Sequence, residues 1–535
     1  MKTLTNSNEI AQHLKAHLAA LGASGDAVNN PIQSNEDVVS SRLLQDSRQI
    51  RQGDVFVALA GHDLNGADFI DAAIQNGAGA VLVDAACDYT PAPNNVNSDV
   101  LFVEVPALRN LLGSLCQSFY FSGESNQSQP LPVIGVTGTN GKTSITHLLA
   151  QIADLSKSND DLSPSKSCAV IGTMGTGYYQ ALVPSANTTP GITDVYRLMA
   201  EFRQDTRHDY MAVAMEVSSH ALAQGRVAGV EFETAIFTNL SHEHLDYHGT
   251  MEQYFAEKAK LFTDFRPANS VINIDDEYGL KLTDLLPIEQ RVIAVGETKQ
   301  TLAFAEYVWI KKVECHTYGL QIELEWQIDG AKETSVLNLP LYGTFNAANI
   351  AAVFATAIVS GWSFEAQSFT ELVPVPGRLE LFVEDDLPIA IVDYAHTPDA
   401  LEASLKAAKA HLDGNLLLVF GCGGDRDTSK RPMMAKVAEK YANSVIVTND
   451  NPRTESQEQI VNDIIKGFDS PDAHHIEYDR KLAIQWALEH AQPGDAVLIA
   501  GKGHETYQII GQQVFDYDER SYVAGLMADL AQRNN

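Results

Sequence analysis

The sequence predicts an α/β protein of three domains: a small N-terminal α/β domain, a central domain with a mostly parallel sheet, and a C-terminal doubly wound domain. Three observations predict it. The chain has 535 residues, room for three or four domains of roughly 150 residues each. Continuous apolar runs alternate with helix-period segments, the pattern of parallel strands buried on both faces. One of these runs leads into a glycine-rich turn and then a helix, IGVTGTNGKTS at 134–144.

The composition is globular, with 45% hydrophobic, 8% aromatic and 20% charged residues, which excludes wholesale disorder. Acidic residues outnumber basic ones by 69 to 37, a net charge of −32. Such a balance excludes a broad nucleic-acid or anionic-membrane face. Any anionic ligand must be held by local basic residues against the overall field. Five cysteines, Cys87, Cys116, Cys168, Cys315 and Cys422, are scattered without a C-x-x-C pair, and their odd number argues for a reducing compartment. The opening MKTLTNSNEIAQHLKAHL lacks the apolar core of a signal peptide. No apolar run approaches the roughly 20 residues that span a bilayer. A cytoplasmic monomer that binds small molecules, with no nucleic acid and no membrane insertion, is expected.

The domain boundaries fall at 1–106, 107–372 and 373–535. In the first domain 54–60 reads as a strand, 67–76 as a helix and 78–84 as a strand, with a polar loop at 91–99. The second opens after a polar linker at 123–129. Strand 133–136, the glycine-rich turn and a helix over 143–153 follow, then an irregular exposed stretch at 159–167 and buried strands at 210–217 and 234–240. The third begins at the turn PVPG, 374–377. Its strands 389–393, 416–420, 444–448 and 496–500 alternate with helices 398–410, 431–441, 458–467 and 481–491. Ligands of such a sheet meet the loops at the carboxyl ends of the strands, here 421–427, 450–453 and 501–505.

The strand, turn and helix at 134–144 form a phosphate loop. Backbone N–H groups of Gly138, Thr139, Asn140, Gly141 and Ser144 would face a phosphate with the positive helix end behind them. Lys142 reaches the terminal phosphates and the Thr143 hydroxyl suits Mg²⁺. The strict pattern G-x-x-x-x-G-K-[ST] needs glycine at 136, where this chain has Val136. A nucleoside triphosphate is implied, and a motor, a switch, a kinase and a ligase all remain open.

At TGTNGKTS the sequence resembles the Mur ligases, the ATP-dependent amino-acid-adding enzymes of bacterial peptidoglycan synthesis, in which GTNGKT is the usual loop. The resemblance continues through LQDSR (44–48), NTTP (187–190), EVSSHAL (216–222), FTNLSHEHLDYHG (237–249), GTFNAANI (343–350), PGRLE (376–380), VDYAHTPDAL (392–401), GCGGDRD (421–427), DNPRTE (450–455) and AGKGHETYQ (500–508). Ten such motifs in order are specific where one alone is weak. The resemblance implies a UDP-sugar-binding first domain, a P-loop ATPase second domain and a Rossmann-like third domain that holds the incoming amino acid. It further implies meso-diaminopimelate addition to UDP-N-acetylmuramoyl-L-alanyl-D-glutamate, with ATP and Mg²⁺, through an acyl phosphate.

The site residues come with the resemblance. Lys142, Glu216, His244 and Lys258 are the catalytic set. Thr143, Glu216, His244 and a carbamate formed on Lys258 are the metal set. A zinc site from His242, His244 and His248 fits less well, since no cysteine joins them and the loop prefers a hard cation. Lys258 reads equally as a solvated helix lysine by pattern alone. Asn349, Arg378 and Asp393 fall on the adenosine side, although Asn346 and Asn349 also suit helix N-terminal capping. Gln45, Ser47, His62, Asn187, Thr188, Thr189, Ser218, Gln224 and Arg226 fall on the nucleotide-sugar side. Arg426 would pair with the α-carboxylate of the amino acid. In D-N-P-R, Asp450 and Asn451 precede Pro452, which stiffens the turn, and Arg453 reads a second carboxylate through its guanidinium fork. The Gly501 carbonyl and Glu505 receive the distal ammonium. Cys422 is structural. A lysine-adding ligase, a D-alanyl-D-alanine-adding ligase and a non-catalytic nucleotide-binding scaffold are the competing readings.

Overall fold

The computed structural model describes residues 42–61, 64–90, 100–121, 129–156 and 166–534. His62, the loop at 91–99, the N-terminal segment and most of the linker at 123–129 lie outside these residues. The chain forms two compact units: 1–295 with 352–363, and 296–351 with 364–535.

The first unit holds two sheets. Strands β1 (Leu43–Leu44), β2 (Val55–Ala58), β3 (Ala80–Asp84) and β4 (Leu101–Val105) pair in parallel in that order. The helix before β3 is shorter than expected: Gly66–Phe69 is a 3₁₀ turn and Ile70–Gln75 the α-helix. The larger sheet uses β5 (Val133–Thr137), β6 (Lys166–Gly172), β7 (Gly175–Gly177), β8 (Asp209–Glu216), β9 (Phe232–Phe237), β10 (Asn269–Asn273) and β11 (Arg291–Gly296). Their order is β11-β10-β9-β5-β8-β6-β7, parallel throughout except β7. Lys166 and Ser167 already belong to β6, because Ser167 is buried against β8. β5, with all five residues buried, stands between β9 and β8 and aims its carboxyl end at helix Lys142–Leu155.

The second unit begins with an antiparallel meander, β12 (Glu306–His316), β13 (Gly319–Ile328) and β14 (Ala331–Leu339). Helix Asn346–Val359 follows. Then come β15 (Glu380–Phe382), β16 (Ile389–Asp393), β17 (Leu416–Phe420), β18 (Ser444–Val447), β19 (His475–Ile476) and β20 (Ala496–Ala500), in the order β15-β16-β20-β17-β18-β19. Only β15 runs antiparallel. The period-two geometry of a strand divides these residues between two cores. Leu416, Leu418 and Phe420 of β17 enter one cluster with helices 398–409, 430–441 and 457–465. Leu417 and Val419 enter the other, with helices 480–490 and 519–534. Both faces of the central strands are therefore covered. Since β20 separates β16 from β17, the loops after β17, β18 and β20 share one crevice at the carboxyl edge. A hairpin, β21 (Tyr507–Ile510) and β22 (Gln513–Asp516), follows the last of these loops.

The five cysteines are free. Cys422 packs its Sγ 3.7 Å from Met434 Sδ, and burial pushes its thiol up to about 12, in keeping with a packing role. Among the described residues no helix is long and apolar enough to cross a membrane.

Candidate active site

The turn after β5 is shaped for a phosphate. Gly138 has φ +140°, and a Cβ there would lie 1.9 Å from Thr238 Oγ1, so only glycine lets the backbone pass. Gly141, at φ +87°, opens the helix that starts with Lys142. Asn140 N donates to Asn239 Oδ1 at 3.0 Å and Thr238 Oγ1 donates to the Asn140 carbonyl at 2.6 Å. Both bonds lock the turn to the end of β9. Lys142 Nζ donates to the carbonyls of Gly138 and Thr139 at 2.9 and 2.7 Å. Ser144 stands in the first helical turn.

Glu216 ends β8 and is 1% exposed. Thr143 Oγ1 lies 3.0 Å from each of its carboxylate oxygens. Thr173 adds a backbone N–H at 2.8 Å and a hydroxyl at 3.2 Å. Burial raises the Glu216 carboxyl pKa, and the Lys142 charge, followed by these hydrogen bonds, opposes the rise. A buried carboxylate beside a hydroxyl is a hard-oxygen donor pair that a divalent cation satisfies. Among the described residues no cluster of three or more His, Cys, Asp or Glu is placed to hold a metal.

Lys258 lies on helix Met251–Thr263 and is 1% exposed. Its Nζ donates to the Gly138 carbonyl at 2.8 Å and sits 4.8 Å from the Tyr254 ring centroid. Burial drives its pKa well down. The Lys142 charge adds to this, and Glu243 opposes it. Lys260, two residues on, is half exposed and pairs with Glu257 at 2.9 Å. His244 stands at φ +55° ahead of helix Leu245–His248, and its ring centroid is 5.0 Å from His220 and 6.2 Å from Tyr254. His248 bonds Ser219 Oγ at 2.9 Å. His242 is exposed.

The NTTP loop is wired to the same carboxylate. Thr188 Oγ1 lies 3.0 Å from Thr173 Oγ1, and Thr189 Oγ1 donates to the Glu216 carbonyl at 2.7 Å. Ser218 caps helix Ser219–Ala223. Arg226 donates to the Thr189 carbonyl at 2.9 Å and to Gln224 Oε1 at 2.9 and 2.6 Å. Gln45, Ser47 and Asn187 line a separate cleft of about 1400 Å³. Arg48, Arg197 and Arg207 also line it, each ion-paired with acidic neighbours.

In the second unit, Asn349 donates to Asn346 Oδ1 at 2.9 Å. Asp393 is buried and accepts from Leu379 N, Ala395 N and Ser404 Oγ. The Arg378 guanidinium lies 4.7 Å from the Tyr394 ring centroid. The crevice after β17, β18 and β20 brings together Arg426, Asp450, Asn451, Pro452, Arg453, Gly501 and Glu505. Arg426 is exposed and Asp450 is buried. Arg453 takes φ +52°. Its N–H donates to the Ile509 carbonyl at 3.1 Å, its own carbonyl accepts from Gly511 N at 2.6 Å, and its Nη1 donates to the Gly424 carbonyl at 2.8 Å. Asn451 Nδ2 donates to Glu505 Oε2 at 2.9 Å.

Comparison with known proteins identifies the family. Three family models match in succession: the Mur ligase family catalytic domain over 42–120, the Mur ligase middle domain over 136–357, and the Mur ligase glutamate ligase domain over 377–503. A UDP-N-acetylmuramoyl-L-alanyl-D-glutamate–2,6-diaminopimelate ligase of Vibrio vulnificus is 41% identical over 92% of this chain and 95% of its own. One of Haemophilus influenzae is 40% identical over 92% and 97%. The chain belongs to the Mur ligase family. A solved structure of an enzyme with the same name is 33% identical, with a TM-score of 0.65 over 94% of this chain and 98% of that one.

In this Mur ligase several residues of the site escaped the sequence. Thr173 bonds Glu216 from 43 positions away, a contact that local spacing does not reveal. Arg431 is fully buried and holds Glu455 with two bonds of 2.6 Å, supporting the loop after β18. Lys502, inside AGKGHETYQ, is fully buried between Asn451 and Glu505. A lysine two residues after an all-apolar strand was the signal for it.

Proposed function

We propose that this Mur ligase joins meso-2,6-diaminopimelate to UDP-N-acetylmuramoyl-L-alanyl-D-glutamate at the expense of ATP, in the assembly of peptidoglycan precursors. The observation that carries the reading is the D-N-P-R turn set beside Glu505, in a chain whose other unit holds a phosphate turn closed on Glu216 and Lys258. The names of the relatives support it. The three-domain division at 1–106, 107–372 and 373–535, a cytoplasmic location and a monomeric state belong to the same reading.

A carboxylate is a poor electrophile, so it must first be phosphorylated. The substrate carboxylate attacks the γ-phosphorus, ADP leaves, and an acyl phosphate forms. The amine of diaminopimelate then adds to the acyl carbon, loses a proton, and phosphate departs as the amide forms. Backbone N–H groups of 138–144 and Lys142 hold the phosphates. Asn349, Arg378 and Asp393 serve the adenosine end. Mg²⁺ would be held by Thr143, Glu216, His244 and a carbamate on Lys258, and supplies charge neutralisation at the transferring phosphoryl group. The neutral amine is the form that reacts with CO₂, and burial shifts Lys258 in that direction, so Lys258 is suited to the carbamate. Gln45, Ser47, His62, Asn187, Thr188, Thr189, Ser218, Gln224 and Arg226 hold the nucleotide-sugar peptide. Arg426 and Arg453 take the two carboxylates of diaminopimelate, while Gly501 and Glu505 take its distal ammonium.

Phosphate release in the presence of ATP, Mg²⁺ and the UDP-muramoyl dipeptide, with meso-diaminopimelate or L-lysine added in parallel, tests the reading. Release that depends on diaminopimelate is expected. Release with lysine keeps the family and overturns the pocket assignment. Release with neither overturns the proposed reaction.

A further inference from the structure

The crevice after β17, β18 and β20 holds a cation with no role in the reaction as described. Lys502 is 0% exposed. Its Nζ donates to Asn451 Oδ1 at 3.0 Å and to the Tyr507 carbonyl at 2.9 Å. Asp450 Oδ1 lies 3.4 Å away and Glu505 Oε2 lies 3.5 Å away. Burying an ammonium costs more than burying an apolar side chain of equal length. What the charge supplies in return is order among its partners.

These bonds fix the orientation of Asn451. Its Oδ1 accepts from Lys502 and also from Ile509 N at 3.0 Å. The amide nitrogen therefore faces Glu505, to whose Oε2 it donates at 2.9 Å. Lys502 also backs the same Glu505 oxygen directly. A flexible carboxylate on a partly exposed loop is thus pinned through one oxygen. Asp450 Oδ1 is buried and has no hydrogen-bond partner, so Lys502 is a nearby counter-charge for it. Without that cation, two carboxylates share the pocket and Asn451 loses one of the two bonds that aim it.

We propose that Lys502 is a positioning residue for amino-acid selection: through Asn451 it sets Glu505 for the distal ammonium of the incoming amino acid. The inference rests on the proposed function and adds to it a specificity determinant that does not itself touch substrate. It predicts that Lys502 matters most for substrates carrying that ammonium.

The test compares wild type with Lys502→Met in phosphate release, using meso-diaminopimelate and 2-aminopimelate, which keeps both carboxylates and lacks the distal amine. In Lys502→Met the KM for diaminopimelate is expected to rise about tenfold or more, while the KM for ATP stays within about twofold. The preference for diaminopimelate over 2-aminopimelate should collapse towards one. A variant that loses turnover or thermal stability but keeps the wild-type preference overturns the proposal. Asn451→Ala breaks the same relay without removing a buried charge, and carries the test if Lys502→Met does not fold. Collapsed preference in Asn451→Ala supports the relay, and retained preference overturns it. Wild-type release with neither amino acid overturns the proposed function itself, whereas wild-type release with unchanged variants overturns only the role of Lys502.

Discussion

Lys258 in the first unit and Lys502 in the second are equally buried, yet their surroundings are opposite. Lys258 meets a carbonyl, an aromatic face and the positive field of Lys142. Lys502 meets two carboxylates, an amide oxygen and a carbonyl. Burial alone therefore does not decide what a lysine does. Where desolvation and a like charge outweigh the one opposing carboxylate, Glu243, the amine is driven towards its neutral, nucleophilic form. Where carboxylates surround it, the same side chain becomes a fixed strut.

The largest effect that separates the two regions is expected from Lys258→Ala. Turnover should fall about 10²–10³-fold, on the scale of losing one electrostatic group in a phosphoryl-transfer site, and an added short-chain carboxylate should restore part of it. Normal turnover in steady-state assays of Lys258→Ala would remove the carbamate from the mechanism. Next comes Arg453→Ala, with a rise of about tenfold to a hundredfold in KM for diaminopimelate and little change for ATP. An unchanged KM for diaminopimelate would dissolve the D-N-P-R pocket.

A smaller effect concerns pH. His504, beside Glu505, has its pKa lowered to about 4 by burial first and by the Arg378 and Arg520 charges after it. An unfolded histidine titrates near 6.5. The unfolded chain thus binds the proton first as pH falls, and stability present above about 6.5 is lost progressively towards about 4. His504→Gln should flatten this loss, read as the change in Tm between pH 6.5 and 5. Parallel curves for the two proteins would contradict it. The smallest effect is assigned to Lys260→Ala. Its exposed pair with Glu257 is worth about 0.5 kcal/mol at most, and turnover should stay at the wild-type level. A large loss in Lys260→Ala would mean that helix position, not burial, distinguishes Lys258.

Much of this was legible in the sequence, for physical reasons that also mark its limits. β16, β17 and β20 were readable to the residue because each is an unbroken apolar run buried on both faces. The meander β12–β14 was not read. Its strand EYVWIKKVECH breaks after four apolar residues at the adjacent exposed Lys311 and Lys312, and GLQIELEWQI interleaves Gln and Glu with its apolar residues, so neither reads as a long apolar run. The hairpin β21–β22 is mostly exposed, yet it supplies the backbone bonds that hold Arg453. The phosphate turn was legible because its glycines, lysine and threonine act locally. The burial of Lys258 was not, because QYFAEKAKLF reads as an amphipathic helix and the carbonyl it meets lies 120 residues upstream.

The arrangement of the second sheet also bears on how such an enzyme changes its diet. Every residue assigned to the amino acid comes from three short strand-end loops. The strands beneath them spend their side chains on two cores, the first of which also takes in Cys422 of the loop after β17. Selection can therefore rewrite the exposed positions of 421–427, 450–455 and 501–508, such as Arg426, at little cost to the scaffold, whereas buried Cys422, Asn451 and Lys502 must change together with their partners. A graft of those three segments into another ligase of this architecture is the unit in which amino-acid preference should travel.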